Sequence, residues 1–312
     1  MIPTAPTGYL LLRLLSGSLA GLFAASTAAQ AQALFKSPDE AASALVTAAR
    51  SGDFSQLYPV LGIAAREVLT SGDKVLDTAN RQRFVAAYDA RHGIVQKDGK
   101  ATLFVGQEEF PFPIPMVQSK DRWKFDIQAG RSEVIARRIG RNELDAIQAG
   151  LAILDAQQEY ASQNRDGRGS GAYAQRIVSK PGTKDGLYWP TAPGEPASPL
   201  GELAAEAAAD GYVAGQDRQP FHGYYFKLLR KQGPAAPGGA MDYVAGGRMF
   251  GGFAILAYPA EYARSGITSF ILSHAGTVYE RDLGPGTRRI ASRMDSFNPE
   301  PGWEKVATNR SP

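Results

Sequence analysis

Residues Asn142–Tyr160, NELDAIQAGLAILDAQQEY, carry the clearest helical pattern in this chain of 312 residues. Large apolar side chains recur there at spacings of three, four and three, which places them in one stripe along a helix. They are Leu144, Ile147, Leu151 and Leu154. Asn142 can cap the first turn, and Gly140 favours a kink or break just before it. The pattern predicts a long helix with one buried face, in a unit that begins near residue 131.

The sequence after this helix is typical of an antiparallel sheet. Runs of alternating or apolar residues predict four strands there. They are Tyr224–Leu229, Gly251–Tyr258, Ile267–Leu272 and Thr277–Arg281. Beyond Arg293 the chain is polar and contains prolines, so we expect it to fray. The sequence therefore predicts a C-terminal domain over 131–293, a long helix packed on an antiparallel sheet, and a polar tail over 294–312.

Residues 34–130 show the same order, with helices first and strands later. The segment Ser37–Glu40, SPDE, has the pattern of a capping box with proline at the first helical position. Asp98–Gly99 lies between two runs of alternating residues, which is a strong hairpin signal. Trp123 and Phe125 then alternate with charged residues, as in a strand with one buried face. The whole chain is thus predicted to be α+β, and its N-terminal domain over 34–130 combines helices with an antiparallel sheet.

Residues 1–33 are typical of a secretory signal peptide. Arg13 is the only charged residue before Lys36, and an apolar run follows it. Two overlapping A-x-A cleavage patterns come next, at Ala29–Ala31 and Ala31–Ala33. A membrane anchor would need about 20 apolar residues without interruption, and serine and threonine interrupt this run. The sequence predicts cleavage after one of these patterns, export to the periplasm, and no membrane span in the mature protein.

Composition excludes several kinds of chemistry. The chain has no cysteine, which excludes disulfides, thiol nucleophiles and anchoring through an acylated cysteine. The net charge of +3 is a small excess and gives no reason to expect nucleic acid as a partner. Two arginine groups are interpreted as solvated helix or tail faces. They are Arg137, Arg138 and Arg141, and Arg288, Arg289 and Arg293.

Motifs for catalysis or metal binding are weak. His92, His222 and His274 are the only histidines, and none stands four residues from another, as a helical zinc pair would. No G-x-S-x-G nucleophile elbow occurs. The loop 164–169 has the alternating start of a calcium loop, but Arg168 brings the wrong charge to a ligand position, which favours a helix-terminating turn. We expect neither a metal nor a cofactor, and the sequence favours a role without catalysis.

Aromatic residues supply the best binding candidates. Tyr and Trp combine a flat apolar face with a polar group, which suits protein or glycan surfaces of the cell envelope. The candidate binding residues are Asp185, Tyr188, Trp189, Tyr224 and Tyr258, with Tyr225 beside them. The alternative is that these rings pack the sheet against the long helix. Trp189 is the ring for which we favour a binding role over core packing, because it lies in the proline-rich loop Asp185–Pro199.

Two function classes follow from these residues. The first is a non-catalytic binding or scaffolding module that recognises an envelope protein or glycan. The second is a hydrolase of an envelope polymer with a pair of carboxylates in the C-terminal domain. The candidate carboxylates are Asp185, Asp210, Glu261 and Asp282.

Five sequence blocks together resemble an uncharacterised envelope family, domain of unknown function 2950. They are Asn142–Ile147 (NELDAI), Asp155–Ala161 (DAQQEYA), Asp185–Pro190 (DGLYWP), Gly223–Phe226 (GYYF) and Phe253–Tyr262 (FAILAYPAEY). The resemblance covers nearly the whole mature chain. It implies an exported protein of a Gram-negative bacterium and implies no particular chemistry.

Two further resemblances concern shape only. The order of helices and strands in 36–130 is similar to the cone-shaped fold of the nuclear-transport-factor-2-like proteins. The long helix followed by an antiparallel sheet is similar to the type II pseudopilins. The leader lacks a prepilin cleavage site, so the second resemblance implies no assembly into a pilus.

Export gives a direct prediction. Protein isolated from the periplasmic fraction should begin at Gln32 or Leu34, because cleavage is expected after Ala31 or Ala33. N-terminal sequencing of that fraction measures this. A mature protein that begins at Met1 would contradict the prediction.

Overall fold

The structure is a computed structural model that describes residues 31–163, 169–213 and 219–307. Nearly all of the predicted signal peptide, most of the loop at 164–169 and the end of the predicted tail lie outside the described residues. The description below concerns the described ranges.

The N-terminal half begins with helices, as predicted. They are α1 (Pro38–Arg50), a 3₁₀ turn (Phe54–Gln56), α2 (Leu57–Leu61), α3 (Ala65–Leu69) and α4 (Lys74–Ala90). The Ser37 hydroxyl accepts a hydrogen bond from the backbone N–H of Glu40 at 3.1 Å, and the Glu40 carboxylate accepts one from the N–H of Lys36 at 2.7 Å. These reciprocal bonds fix the first turn of α1 and confirm the predicted cap.

An antiparallel sheet follows the helices. Its strands are β1 (His92–Lys97), β2 (Lys100–Val105), β3 (Phe110–Pro111), β4 (Met116–Ser119) and β5 (Arg122–Phe125), in the order β1-β2-β4-β5 with β3 also paired to β2. Asp98 and Gly99 both have positive φ, 48° and 72°, as a two-residue hairpin turn of this kind requires. The predicted hairpin is confirmed, and Trp123 and Phe125 are buried on one face of β5.

Helix α5 (Ile127–Ser162) is longer than the sequence pattern indicated. It runs for 36 residues without interruption, and the carboxylate of Asp126 caps it by accepting from the N–H of Ala129 at 3.1 Å. The prediction that Asn142 caps the helix is wrong. Asn142 is 1 % exposed in mid-helix, and its amide donates to the carbonyl of Ser265 at 2.8 Å. Gly140 lies within the helix and does not break it.

The buried face of α5 includes three of the four residues of the predicted stripe, because Ile147 packs against the same core as Leu151 and Leu154. Leu151 and Leu154 are buried, whereas Leu144 is 66 % exposed. Small residues share this face with the large ones: a Cβ added to Gly150 would lie 2.9 Å from a methyl carbon of Leu272. Any larger residue at this position would require the Leu272 side chain to shift.

The C-terminal half combines two short helices with ten strands, most of them short. They are α6 (Gly201–Ala209), β6 (Tyr224–Leu229), β7 (Lys231–Gln232), β8 (Met241–Asp242), β9 (Val244–Ala245), β10 (Arg248–Met249), β11 (Ala254–Pro259), β12 (Thr268–Ser273), β13 (Val278–Asp282), α7 (Thr287–Arg293), β14 (Ser296–Phe297) and β15 (Glu304–Lys305). The main sheet is antiparallel, in the order β15-β13-β12-β11-β6. Strand β11 contacts both α5 and α7, and residues 254–257 are fully buried.

The segment predicted as a polar tail packs against the C-terminal core through Phe297, Trp303 and Val306. Phe297 is 1 % exposed and packs edge-on against Tyr279 with ring centroids 5.9 Å apart. Strand β14 pairs in parallel with β7, and β15 pairs with β13. The expectation of fraying therefore fails for residues 294–307, because one buried aromatic and two strand pairings hold a segment whose composition is polar.

Asp73 links the two halves. Its carboxylate caps α4 by accepting from the N–H of Leu76 at 3.1 Å. The other carboxylate oxygen accepts from the Tyr212 hydroxyl at 2.7 Å and from the N–H of Gly223 at 3.0 Å. Asp73 is 1 % exposed, and three donors satisfy this buried charge. Burial, followed by the neighbouring Asp73 charge, raises the pKa of Tyr212.

The buried face of α5 predicts a contrast between two leucines on the same helix. Leu154 is 3 % exposed, so Leu154→Ala should lower the free energy of unfolding by about 2–5 kcal/mol. Leu144 is 66 % exposed, so Leu144→Ala should lower it by about 0.5 kcal/mol or less. Urea denaturation of both variants measures this, and equal losses would contradict the assigned face.

Candidate functional site

A cavity of about 1080 Å³ lies in the N-terminal half, between the helices and the first sheet. One face of α4 and one face of α5 line it, because the lining positions recur at helical spacing. On α4 they are Asp77, Asn80, Arg81, Arg83, Phe84 and Ala87, and on α5 they are Val134, Arg137, Arg138, Gly140, Arg141 and Asn142. We call this space the N-terminal cavity.

The deep wall of the N-terminal cavity is apolar. Side chains from α1, α2 and β2 form it, and they are buried. They include Leu45, Ala49, Leu57, Leu61 and Val105. Phe84 and Phe112 extend this surface, with ring centroids 5.2 Å apart. Phe110, which also lines the cavity, is 59 % exposed, so the space opens to solvent beside an aromatic ring.

Five arginines and one carboxylate line the same space. Arg137 pairs with Glu133 at 2.6 Å and donates to the carbonyl of Pro111 at 2.9 Å. Arg138 is half-buried and donates to the carbonyls of Val68 and, at 3.3 Å, Thr70. The interpretation of this arginine group as a solvated helix face is therefore wrong for Arg138. Its guanidinium satisfies the carbonyls at the end of α3.

Asp77 is the carboxylate of the cavity lining. It is 7 % exposed, and its two oxygens accept from the N–H of Ser71 at 3.1 and 2.9 Å. Burial raises the pKa of this carboxyl, while the hydrogen bonds from Ser71 and the charge of Arg138 act in the opposite direction. The inner polar end of the cavity is thus a carboxylate and a guanidinium, both held by backbone groups.

Three other arginines face the cavity with neutral partners. Arg83 and Arg141 both donate to the Oδ1 atom of Asn80, at 3.1 and 3.3 Å. Arg81 donates to the carbonyl of Ala49 at 2.6 Å and lies over the Phe54 ring, 5.7 Å from its centroid. The cavity lining therefore carries an excess of positive charge.

The structure separates the aromatic residues that the sequence grouped. Tyr224 is fully buried, and its hydroxyl donates to the carbonyl of Thr268 at 2.8 Å. Tyr225 pairs with Tyr258 across β6 and β11 with ring centroids 5.5 Å apart, so these two lie on the opposite face of the sheet from Tyr224. Trp189 is 5 % exposed and packs in the C-terminal core.

Tyr188 packs against the same core as Trp189, whereas Asp185 lies in a polar environment. Tyr188 is half-buried, and its backbone pairs with Val178. Asp185 accepts from the N–H of Lys180 at 2.9 Å and from the Thr183 hydroxyl at 2.8 Å. It lines a second, polar cleft of about 850 Å³. The five predicted binding residues therefore do not form one surface, and their binding role stays a prediction.

The four carboxylates considered for hydrolysis are each engaged by a different neighbour. The pairs are Asp185 with Arg176 at 3.4 Å, Asp210 with His222 at 3.7 Å, Glu261 with Arg264 at 2.6 Å and Asp282 with the Tyr262 hydroxyl at 3.1 Å. His222 also lies 3.0 Å from Asp145. Within the described ranges, no group of three or more His, Asp or Glu residues is arranged to hold a metal ion.

Sequence reasoning did not select the residues of the N-terminal cavity. A signal was present: α4 carries polar and apolar residues at 77, 80, 81, 84 and 87, one continuous helical face. Such a mixed face is common on solvated helices, so spacing alone does not distinguish a helix face that lines a cavity from one that faces solvent. The cavity between the elements is visible only in the structure.

Taken together, the fold and cavity define an α+β protein with a ligand-sized space in its N-terminal half. The chain belongs to the family described as protein of unknown function (DUF2950), whose model matches residues 32–306. No curated protein matches the chain, and no solved structure does, so the resemblances to nuclear transport factor 2 and to pseudopilins stay predictions. Among the helices of the described ranges, none has the length and hydropathy needed to cross a bilayer.

The position of Trp189 gives a prediction about its role. Because the ring is 5 % exposed in the C-terminal core, Trp189→Ala should lower the free energy of unfolding by about 3–5 kcal/mol. Chemical denaturation measures this loss. A variant with unchanged stability that no longer captures an envelope protein or glycan would instead support the surface role.

Proposed function

We propose that this protein is an exported, non-catalytic binding protein of the periplasm whose N-terminal cavity holds the apolar part of a small molecule. The observation that carries this proposal is a space of about 1080 Å³ with a deep apolar wall and an exposed aromatic ring where it opens. Small-molecule sites typically have about 300–1,000 Å³ and a mostly apolar lining with a few polar groups.

The packing of protein interiors supports a ligand in this space. Interiors reach the density of organic crystals and contain few voids larger than a water molecule. Phe84 and Phe112 are half-buried and Phe110 is exposed, so this part of the apolar lining lacks protein neighbours and stays partly hydrated. An apolar chain in the cavity would bury this surface and gain about 25 cal/mol for each Å² removed from water.

Two sequence features support export. The leader over 1–33 carries the two A-x-A patterns, and the family match begins at residue 32, directly after the first of them. The family model therefore excludes residues 1–31, the segment that cleavage after Ala31 would remove.

The alternatives have less support. Trp189 and Tyr224 are buried, which leaves the loop Asp185–Pro199 without its principal aromatic contact for an envelope protein or glycan. A hydrolase of an envelope polymer needs two carboxylates that act together. The four candidates have separate partners instead, as described above.

The binding proposal predicts a contrast between two neighbouring positions of α4. Ala87 lines the cavity, whereas Ala86 is exposed and does not line it. Ala87→Trp should fill part of the space and weaken binding of the neutral apolar dye N-phenylnaphthylamine, displaced by dodecanol, by about tenfold or more. Ala86→Trp introduces the same side chain one residue away and should leave binding unchanged.

Fluorescence titration of the parent protein and both variants measures this, with circular dichroism to confirm that each is folded. Absence of dye and dodecanol binding to the parent would overturn the proposal. Equal binding by the parent and a folded Ala87→Trp variant would place the ligand elsewhere and would also overturn it.

A further inference from the structure

The strongest unexplained feature of the N-terminal cavity is a pair of arginines at its opening. Arg83 on α4 and Arg141 on α5 are both exposed, and both donate to the same amide oxygen of Asn80, at 3.1 and 3.3 Å. Two guanidinium groups are therefore brought together around one neutral acceptor. We call Arg83 and Arg141 the arginine pair.

The arginine pair differs from several other exposed arginines in its hydrogen-bond partners. Several other exposed arginines have carboxylate partners, such as Arg91 with Glu109 at 2.7 Å and Arg131 with Glu67 at 3.1 Å. In the part of the chain that the structure describes, no ion pair involves Arg83 or Arg141. Like charges at close range repel each other, so an anion between them would be favoured.

A third guanidinium adds positive charge to the lining of the same cavity. Arg81 lines the cavity, donates to the carbonyl of Ala49 and has no carboxylate partner among the described residues. Its Nε–H is buried without an acceptor, so it contributes charge to the site and no donor that a ligand can reach.

We propose that the N-terminal cavity selects amphipathic ligands with an anionic head group, a carboxylate or a phosphate, which the arginine pair binds. This inference rests on the proposed function, because the apolar chain of the same molecule occupies the deep wall. Guanidinium groups present planar pairs of N–H donors that match the oxygens of carboxylate and phosphate. The excess of arginine over carboxylate in the lining excludes a cationic head group on electrostatic grounds.

The test compares three probes with the same twelve-carbon chain: dodecanol, laurate and dodecyl phosphate. All are titrated at neutral pH, below their micelle concentrations, by displacement of N-phenylnaphthylamine. The parent protein should bind one or both anions roughly tenfold to a hundredfold more tightly than dodecanol. Dodecyl phosphate and laurate share the anionic chemistry, and the tighter of the two identifies the head group.

The variant that tests the arginine pair is Arg83→Gln combined with Arg141→Gln. It should lose the preference for the anions and bind dodecanol within about twofold of the parent, because the apolar wall is untouched. Arg131→Gln is the matched control, since Arg131 is an exposed arginine of α5 that pairs with Glu67 and does not line the cavity. This control should keep the full preference.

The possible outcomes separate the two proposals. Dodecanol binding without any preference for the anions would overturn the anionic ligand and leave the cavity function intact. An equal loss of affinity for dodecanol and laurate in the double variant would also overturn the anionic ligand. The arginines would then maintain the structure of the cavity and would not bind a head group. Failure of all three probes to bind the parent would overturn both proposals.

A second measurement keeps the inference testable if the double variant does not fold. The preference of the parent for laurate over dodecanol should shrink as salt rises from low ionic strength to about 1 M, where the screening length falls to roughly 3 Å. A preference that does not change with salt would overturn the role of the arginine pair.

Discussion

Helix α5 is the element on which both halves of the structure depend. At its start, a Cβ added to Gly130 would lie 2.6 Å from the backbone carbonyl oxygen of Pro113, so glycine is required where the helix meets the connection between β3 and β4. Further along, Gly150 allows the same close approach to Leu272 in the second sheet. With 36 residues the helix is about 54 Å long. One rigid rod therefore provides a wall of the N-terminal cavity and a face of the C-terminal core.

Local signals predicted much of the fold, and long-range contacts account for the errors. The capping box at Ser37 and the hairpin at Asp98–Gly99 depend on neighbours in the chain, so their patterns were sufficient. Asn142 has the residue type of a cap, but its amide bonds a carbonyl 123 residues away. Leu144 fits the helical stripe but is exposed, whereas Leu151 and Leu154 of the same stripe are buried. Spacing within one segment carries no information about such partners.

The candidate site was less accessible to sequence reasoning than the fold. Aromatic content pointed to Trp189 and Tyr224, which the structure buries, because an apolar ring indicates a core as readily as a binding surface. A cavity is a space that side chains leave unfilled, and no residue pattern encodes it directly. Asn80 and Arg141 are 61 residues apart in the sequence, so only the packing of α4 against α5 shows that their side chains meet.

The carboxylate of Asp73 limits how the two halves can move relative to each other, and this bears on the exchange of the proposed ligand. It caps α4 and also holds Tyr212 and Gly223, so one wall of the N-terminal cavity is tied to the C-terminal half, while α5 forms another wall and enters that half directly. Opening by a hinge between the halves would break these buried hydrogen bonds, and domain motions of that kind take microseconds to milliseconds. Exposed side chains such as Phe110 and Arg141 reorient within picoseconds to nanoseconds. For the proposed ligand, exchange through the opening therefore needs only side-chain motion, whereas exchange through a hinge would need the slower motion.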